Sequence, residues 1–278
     1  MADFEKDYRD LERDLSFVPV DNPNPKRLTP EQIAHFNEHG YIRPLRIFDD
    51  AAVVRNRDYF DTLLAAVGGR NSYSINSYHT RCRGIYDLCF NPLILDYIED
   101  LVGPDFVFWS THFFCKMPFD PKKVPWHQDA SYWPITPART VTVWLAIDDA
   151  EVENAAMKFI PGTHRMGHLK WRDTDGPAVL NQEIVDTDKL AEPVYNCLRA
   201  GELSLHADML AHGSDPNTSD RRRCGLTIRY CPVTVHAGEG WNAGASICRG
   251  TDPTGHWPNN PRPPGEDPAG GPGQVAAD

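Results

Sequence analysis

A change of hydrophobic period near residue 105 most constrains what this chain can fold into. Before it, apolar residues recur at helical spacing between clear start and stop signals. Thr29-Pro30-Glu31-Gln32 reads as a capping box with Pro in the first turn, Ile33 and Phe36 as the buried stripe, and Gly40 as the stop. Asp50 to Val67 reads as a second helix ended by Gly68-Gly69. Asn91-Pro92 opens a third, with Ile94, Tyr97, Ile98 and Leu101 on one face and Gly103 behind it. Upstream, Phe4, Tyr8, Leu11 and Leu15 fall at helical spacing and predict a short helix laid on the main body. After residue 105 the pattern alternates. Phe106 to Met117, Thr140 to Ile147, Ala155 to Ile160, Glu202 to His206 and Arg223 to Cys231 read as strands, separated by Pro, Gly and Asp-Pro-Asn turns. Helices first and short strands afterwards predict a mainly β fold with N-terminal helices packed on one side. His164 to Ala200 reads as a charged excursion over the mouth of the β-core, and the Pro/Gly-rich run after Gly250 as a poorly packed tail. The expected division is an extension over 1–27, one domain over 28–249 and a tail over 250–278.

Charge and cysteine usage narrow the function classes. A net charge of −11 argues against nucleic acid as a partner, because phosphate binding needs a basic surface. No apolar run approaches the ~20 residues of a membrane helix, and the charged N-terminus lacks a signal-peptide core, so no membrane partner is expected. The seven Cys form no CxxC pair, which points to a reducing compartment. A cytoplasmic protein acting on a small molecule is the expectation.

The sharpest local feature is Trp126-His127-Gln128-Asp129. On an extended chain, residues i and i+2 share a face, so His127 and Asp129 can bind one metal while Gln128 points away. A distant second His would complete a triad of two His and one carboxylate, the donor set of non-heme Fe(II) sites. Taken alone, the triplet also reads as a loop His beside a helix-capping Asp. Its company is His212-Gly213-Ser214, followed eleven residues later by Arg223, which starts a strand. A hairpin would set that cation near His212. His206 reads as a strand residue, Arg221 and Arg222 as solvated, and His164 as a turn residue. Arg229 shares parity with Arg223 and reads equally as an interior anion site or a structural ion pair. Tyr132 and Trp133 line a substrate site or pack beneath it. His79, Arg81 and Arg83 sit on a polar loop able to reach over the barrel mouth.

Several motifs in order resemble the phytanoyl-CoA dioxygenase family: HQD, Trp144 within VTVWLAIDD, Glu153-Asn154, FIPGTHR, and HGSDPNTSDRRR, together with the LTPEQIAHFNEHGYI helix. The resemblance spans roughly residues 28–235. It implies a double-stranded β-helix (jelly-roll, cupin-like) core and an Fe(II)- and 2-oxoglutarate-dependent oxygenase that consumes O2 and releases succinate and CO2. His127, Asp129 and His212 fall on the metal ligands and Arg223 on the 2-oxoglutarate arginine. Ser214 supports the same carboxylate, and Trp144 lines the cosubstrate pocket. Where relatives often place an amide for the C1 end, this chain offers Thr111 or Cys115. Halogenating relatives have Gly or Ala where Asp129 stands, so the resemblance implies hydroxylation. The substrate class left open is an amino acid, a betaine-like compound, an aminoalkylphosphonate or an acyl-CoA. Two other readings stay on the table: a metal-dependent hydrolase on a cupin-like barrel, and a catalytically silent barrel that only binds.

Overall fold

The computed structural model describes residue 8, residues 11–68 and residues 72–269. Four helices, α1 (Pro30–His39), α2 (Asp50–Ala66), α3 (Arg83–Cys89) and α4 (Pro92–Val102), occupy the first part of the chain, with strand β1 (Tyr41–Arg46) between the first two. The capping box forms as expected: the Thr29 hydroxyl accepts from the Gln32 N–H at 3.2 Å, and the Gln32 side chain accepts from the Thr29 N–H at 2.9 Å. Gly40 ends α1 at φ +87, a left-handed turn that a Cβ would drive to 2.6 Å from the His164 ring. Helix α3 lies outside the sequence expectation, because its seven residues are too few to show a period.

The strands are β2 (Phe106–Lys116), β3 (Val124–His127), β4 (Ile135–Thr136), β5 (Val141–Ala146), β6 (Lys158–Phe159), β7 (Trp171–Asp173), β8 (Gln182–Ile184) and β9 (Val194–Tyr195). After them come β10 (Glu202–Ala207), β11 (His212–Ser214), β12 (Arg223–Pro232), β13 (His236–Ala237) and β14 (Ser246–Arg249). A six-stranded sheet runs β1-β10-β5-β12-β2-β14 and a four-stranded sheet runs β3-β11-β6-β9. All pairings among them are antiparallel. The protein is thus mainly β, with a jelly-roll core and helices on one outer face.

Side-chain alternation explains the layering. On β5 and β12, Val143, Leu145, Leu226 and Ile228 point outward and pack with Phe60, Leu63, Ile94 and Ile98 of α2 and α4. The opposite face of the large sheet turns inward, where Trp144 and Ala146 meet Phe159 of the small sheet. Both faces of the large sheet are therefore buried, which is why its strands carry so few exposed polar positions.

Two expectations at the chain ends change. Phe4 lies outside the described residues, and residues 11–20 run without helix. That segment is an extended strap. Arg13 donates to the carbonyls of Ala130 and Trp133, both at 2.5 Å, and the Asp14 N–H donates to the Thr136 hydroxyl at 2.9 Å. At the other end, Pro and Gly suppress helix and strand yet leave the chain packed. Trp257 is buried, with its indole N–H on the carbonyls of Val233 and Val235, and Glu266 accepts from Tyr59 and from the Gly84 N–H. Composition forecasts the missing period and says nothing about packing.

Candidate functional site

The site starts from one register pair. His127 on β3 stands directly opposite His212 on β11, so the small sheet alone brings the two rings to a centroid separation of 4.1 Å. Each Nδ1 faces a carbonyl two residues earlier, Pro125 at 2.8 Å and Leu210 at 2.9 Å. A carbonyl only accepts, so each Nδ1 carries the proton and each Nε2 keeps a free lone pair. Gln128 is extended and turns outward, donating to the carbonyls of Gly167 and Met209, which leaves Asp129 on the same face as His127. One Asp129 oxygen lies 3.6 Å from His127 Nε2 and 3.9 Å from His212 Nε2. Those distances are too long for hydrogen bonds, and they suit ligand atoms gathered round a shared cation. All three ligand atoms fall within 4.8 Å of one another.

Electrostatics agrees with that use. Burial would raise the Asp129 carboxyl, but His127, His206, His212 and Arg229 together hold it well below the ordinary carboxylate range. Burial and the neighbouring His127 push His212 well below the usual imidazole range, so it stays neutral. One carboxylate and two imidazoles make a facial triad, and iron(II) fits that donor set.

A second cluster lies on the same cavity. Arg223 opens β12, is fully buried, and donates from Nη2 to the Ser214 hydroxyl at 3.2 Å. Its guanidinium lies 5.6 Å from the Trp144 ring centre, its Nε has no partner, and no carboxylate pairs with it among the described residues. Lys116 stands opposite Arg223 in the register, donating to the carbonyls of Lys122 at 2.5 Å and Asp215 at 2.8 Å. A buried guanidinium with a buried lysine beside it, and no buried anion against them among the described residues, makes a preformed carboxylate site. The sequence expectation of a hairpin is corrected: β11 and β12 belong to different sheets. The chain crosses between sheets at residues 215–222, and Ser214 meets Arg223 across that crossing.

The sequence profile of the phytanoyl-CoA dioxygenase family (PhyH) matches residues 36–225. This chain belongs to that family. It is 28% identical over 160 residues to the peroxisomal phytanoyl-CoA dioxygenase of Bos taurus, a match covering 55% of this chain and 47% of the bovine protein. The corresponding human protein is 24% identical over 237 residues, covering 75% of this chain and 70% of its own length. Against the first of these curated relatives the chain spans about half the length. Among solved structures, the apo form of the non-heme monooxygenase ThoJ superposes with a TM-score of 0.72 at 28% identity, covering 84% of this chain and 88% of ThoJ.

Other candidate residues fare unevenly in this member of the phytanoyl-CoA dioxygenase family. Trp144 and Ser214 line the cavity with Arg223. Thr111 does not. It pairs with Ile228 on the helix-facing side of β2 and bonds His79 at 2.8 Å, and Cys115 lies on the same outer face. The inward residues of β2 are His112 and Phe114, one position out of phase. Tyr132 is buried with its ring 5.8 Å from His127, bonded through its hydroxyl to Gln182, while Trp133 packs at right angles on Trp109. His79 is buried under Gly244, and Arg81 stacks at 3.6 Å over Tyr78, so that loop packs on the body away from the metal ligands. His164 is buried against Phe17. Arg221 pairs with Glu151 at the surface and Arg222 with Asp148.

One site residue was set aside in the sequence reading. His206 is a strand residue as expected, but it faces inward and lines the cavity. Its Nε2 lies 3.8 Å from the second Asp129 oxygen, and neither ring nitrogen has a hydrogen-bond partner. Parity could have found it, since His206 pairs with Thr142, which shares the inner face with Trp144.

Proposed function

We propose that this protein is an Fe(II)- and 2-oxoglutarate-dependent dioxygenase that hydroxylates an unactivated C–H of a small polar metabolite. The observation that carries the reading is one cavity lined by two kinds of group. At one place stand the free Nε2 atoms of His127 and His212 with Asp129. At another stand Arg223 and Ser214, with no anion of their own. Held by His127, Asp129 and His212, iron(II) would supply the oxidative chemistry, with O2 and a 2-oxo acid as co-reactants, that drives hydroxylation. Arg223 and Ser214 grip the far carboxylate of the 2-oxo acid and fix its orientation. Trp144 closes that pocket against water. Thr142 donates to the second Asp129 oxygen at 3.1 Å and fixes the orientation of the carboxylate. A hydrolase has no use for a buried, unpaired Arg223, which ranks that reading second.

The test is anaerobic addition of 2-oxoglutarate to the Fe(II) protein. A weak visible charge-transfer band is expected, and Arg223→Ala should remove it or demand much more 2-oxoglutarate. Bound metal without a band would favour the hydrolase. No metal binding would favour the silent barrel.

Lys116 adds a proton signature. Burial and then the adjacent Arg223 push its ammonium down to about 7. At pH 8 it is therefore mostly neutral. A dianion arriving beside Arg223 reverses the second influence, so binding should draw a proton onto Lys116. Calorimetry in buffers of different ionisation enthalpy should register that uptake above pH 7, and Lys116→Met should abolish it.

A further inference from the structure

Arg229 is the buried charge that the proposed chemistry leaves over. It lies on the inner face of β12, six residues beyond Arg223, and lines the same cavity. Its guanidinium sits 5.0 Å from the ring centre of Trp133 and 6.0 Å from that of Trp109, beside the packed pair of indoles. The sequence reading allowed a structural ion pair here. None forms among the described residues: its one side-chain bond is a long contact of 3.4 Å to the Ser110 hydroxyl, and Nε has no partner. The adjacent Trp109 indole N–H is also buried without an acceptor. Two unsatisfied donors on neighbouring side chains, one of them cationic, form a site for an acceptor-only anion.

Charge balance points the same way. Among the described residues Asp129 is the one carboxylate close enough to offset Arg229, and in the proposed enzyme Asp129 is a metal ligand. Iron(II), that carboxylate, the 2-oxoglutarate dianion and the Arg223 cation would sum to zero, and Lys116, once protonated, would add a further positive charge, so none of these groups offsets Arg229. Arg229 then remains an unpaired positive charge in a buried cavity, which is costly. The two indoles relieve part of that cost through cation–π contact and leave the hydrogen-bonding plane of the guanidinium open.

Building on the proposed function, we propose that Arg229, with the Trp109 N–H, binds a carboxylate of the substrate, so that the substrate class is a small monocarboxylic acid. The carboxylate docks in the plane of the guanidinium beside the indoles, and the carbon to be hydroxylated extends from it toward His127, Asp129 and His212. A carboxylate supplies the acceptor-only anion that Arg229 lacks, and a betaine or amino acid fits through its carboxylate. Arg229 thereby acts in specificity, separately from Arg223, which serves the cosubstrate.

The test uses matched acid and amide probes: benzoate with benzamide, indole-3-acetate with its amide, and L-pipecolate with its amide. Each is titrated by calorimetry, under argon, into the protein loaded with Fe(II) and 2-oxoglutarate. At least one acid should bind about tenfold to a hundredfold more tightly than its amide, the difference that a charge-assisted bond typically makes. Arg229→Gln should erase that preference while leaving the 2-oxoglutarate charge-transfer band in place. Arg229→Lys should keep the preference with weaker binding, and it carries the test if the Gln variant does not fold. Equal binding of acid and amide, or no binding of any acid, overturns the proposal. So does loss of the band in Arg229→Gln, which would assign Arg229 to the cosubstrate. Absence of the band in the wild-type protein is a different failure, that of the oxygenase reading itself.

Discussion

Asp129→Ala should leave a folded protein that no longer gains stability from Fe(II) or Ni(II). Two imidazoles remain after the substitution, and neither supplies the negative charge that holds a divalent ion against water. Even outer partners of metal ligands change affinity tenfold to a hundredfold, so loss of the one anionic ligand should cost on the order of a hundredfold or more in metal affinity and in turnover. The substitution also leaves buried Arg229 without the carboxylate that offsets it, so the metal-free fold should lose some stability yet still form. The direct hydrogen bond of that carboxylate is the 3.1 Å contact from Thr142. Thermal unfolding separates these effects. At a metal concentration about one hundred times Kd, linkage stabilises the wild type by about 2.7 kcal/mol. That corresponds to a rise in Tm of roughly 5 °C or more for a domain of this size. The variant should show no rise. A surviving rise would mean that His206, 3.8 Å from the missing carboxylate, has taken its place, and His206→Ala in the same background should then remove it.

How much of this was legible in the sequence depends on whether the deciding signal is local. The capping box at Thr29, the strands Val141–Ala146 and Arg223–Pro232, and the inward pairing of His127 with Asp129 all follow from neighbours within a few residues. Each appeared where expected. The motif resemblance supplied the long-range part, that His212 and Arg223 join the pair, and the register of β3 against β11 gives the physical cause. Thr111 shows what happens without such a constraint. Its strand is aromatic on both faces, so alternation gave no phase, and the inward side proved to be His112 and Phe114. The same blindness affected Trp257 and the strap at Arg13. Their packing is set by carbonyl acceptors more than twenty or a hundred residues away, which no local pattern encodes.

His206 and Arg229 fall between these cases. Each lies on a strand correctly read, and each faces inward by the parity of its own strand. The sequence alone left them as a strand residue and a possible ion pair, because an interior polar residue usually finds a partner in the fold. Here the fold withholds the partner. That pattern, repeated at Arg223, His206 and Arg229 around one cavity, is the signature of groups kept for ligands.

Gly225→Val should be the most damaging substitution that removes no functional group. Gly225 lies between Arg223 and Thr227 on β12, opposite Ala146, and its φ is ordinary, so the backbone would accept any residue. Space is the obstacle. A Cβ there would stand 2.1 Å from Cζ2 and 2.3 Å from Cε2 of Trp144. The indole cannot yield outward, because it is buried with Tyr41, Met157 and Phe159 between the sheets. Overpacking of this kind typically costs about 1–3 kcal/mol, and a branched side chain belongs at the top of that range. The displaced indole also forms one side of the Arg223 pocket. Gly225→Ala, the milder change, should therefore lower 2-oxoglutarate affinity along with Tm, although it touches no ligand-binding group. Trp144→Ala in that background removes the clash. The double variant should then be less destabilised than the two single losses added together, a coupling that thermal unfolding measures directly. Strict additivity would mean that the indole already has room to move, and that the pocket beside Arg223 is looser than this packing implies.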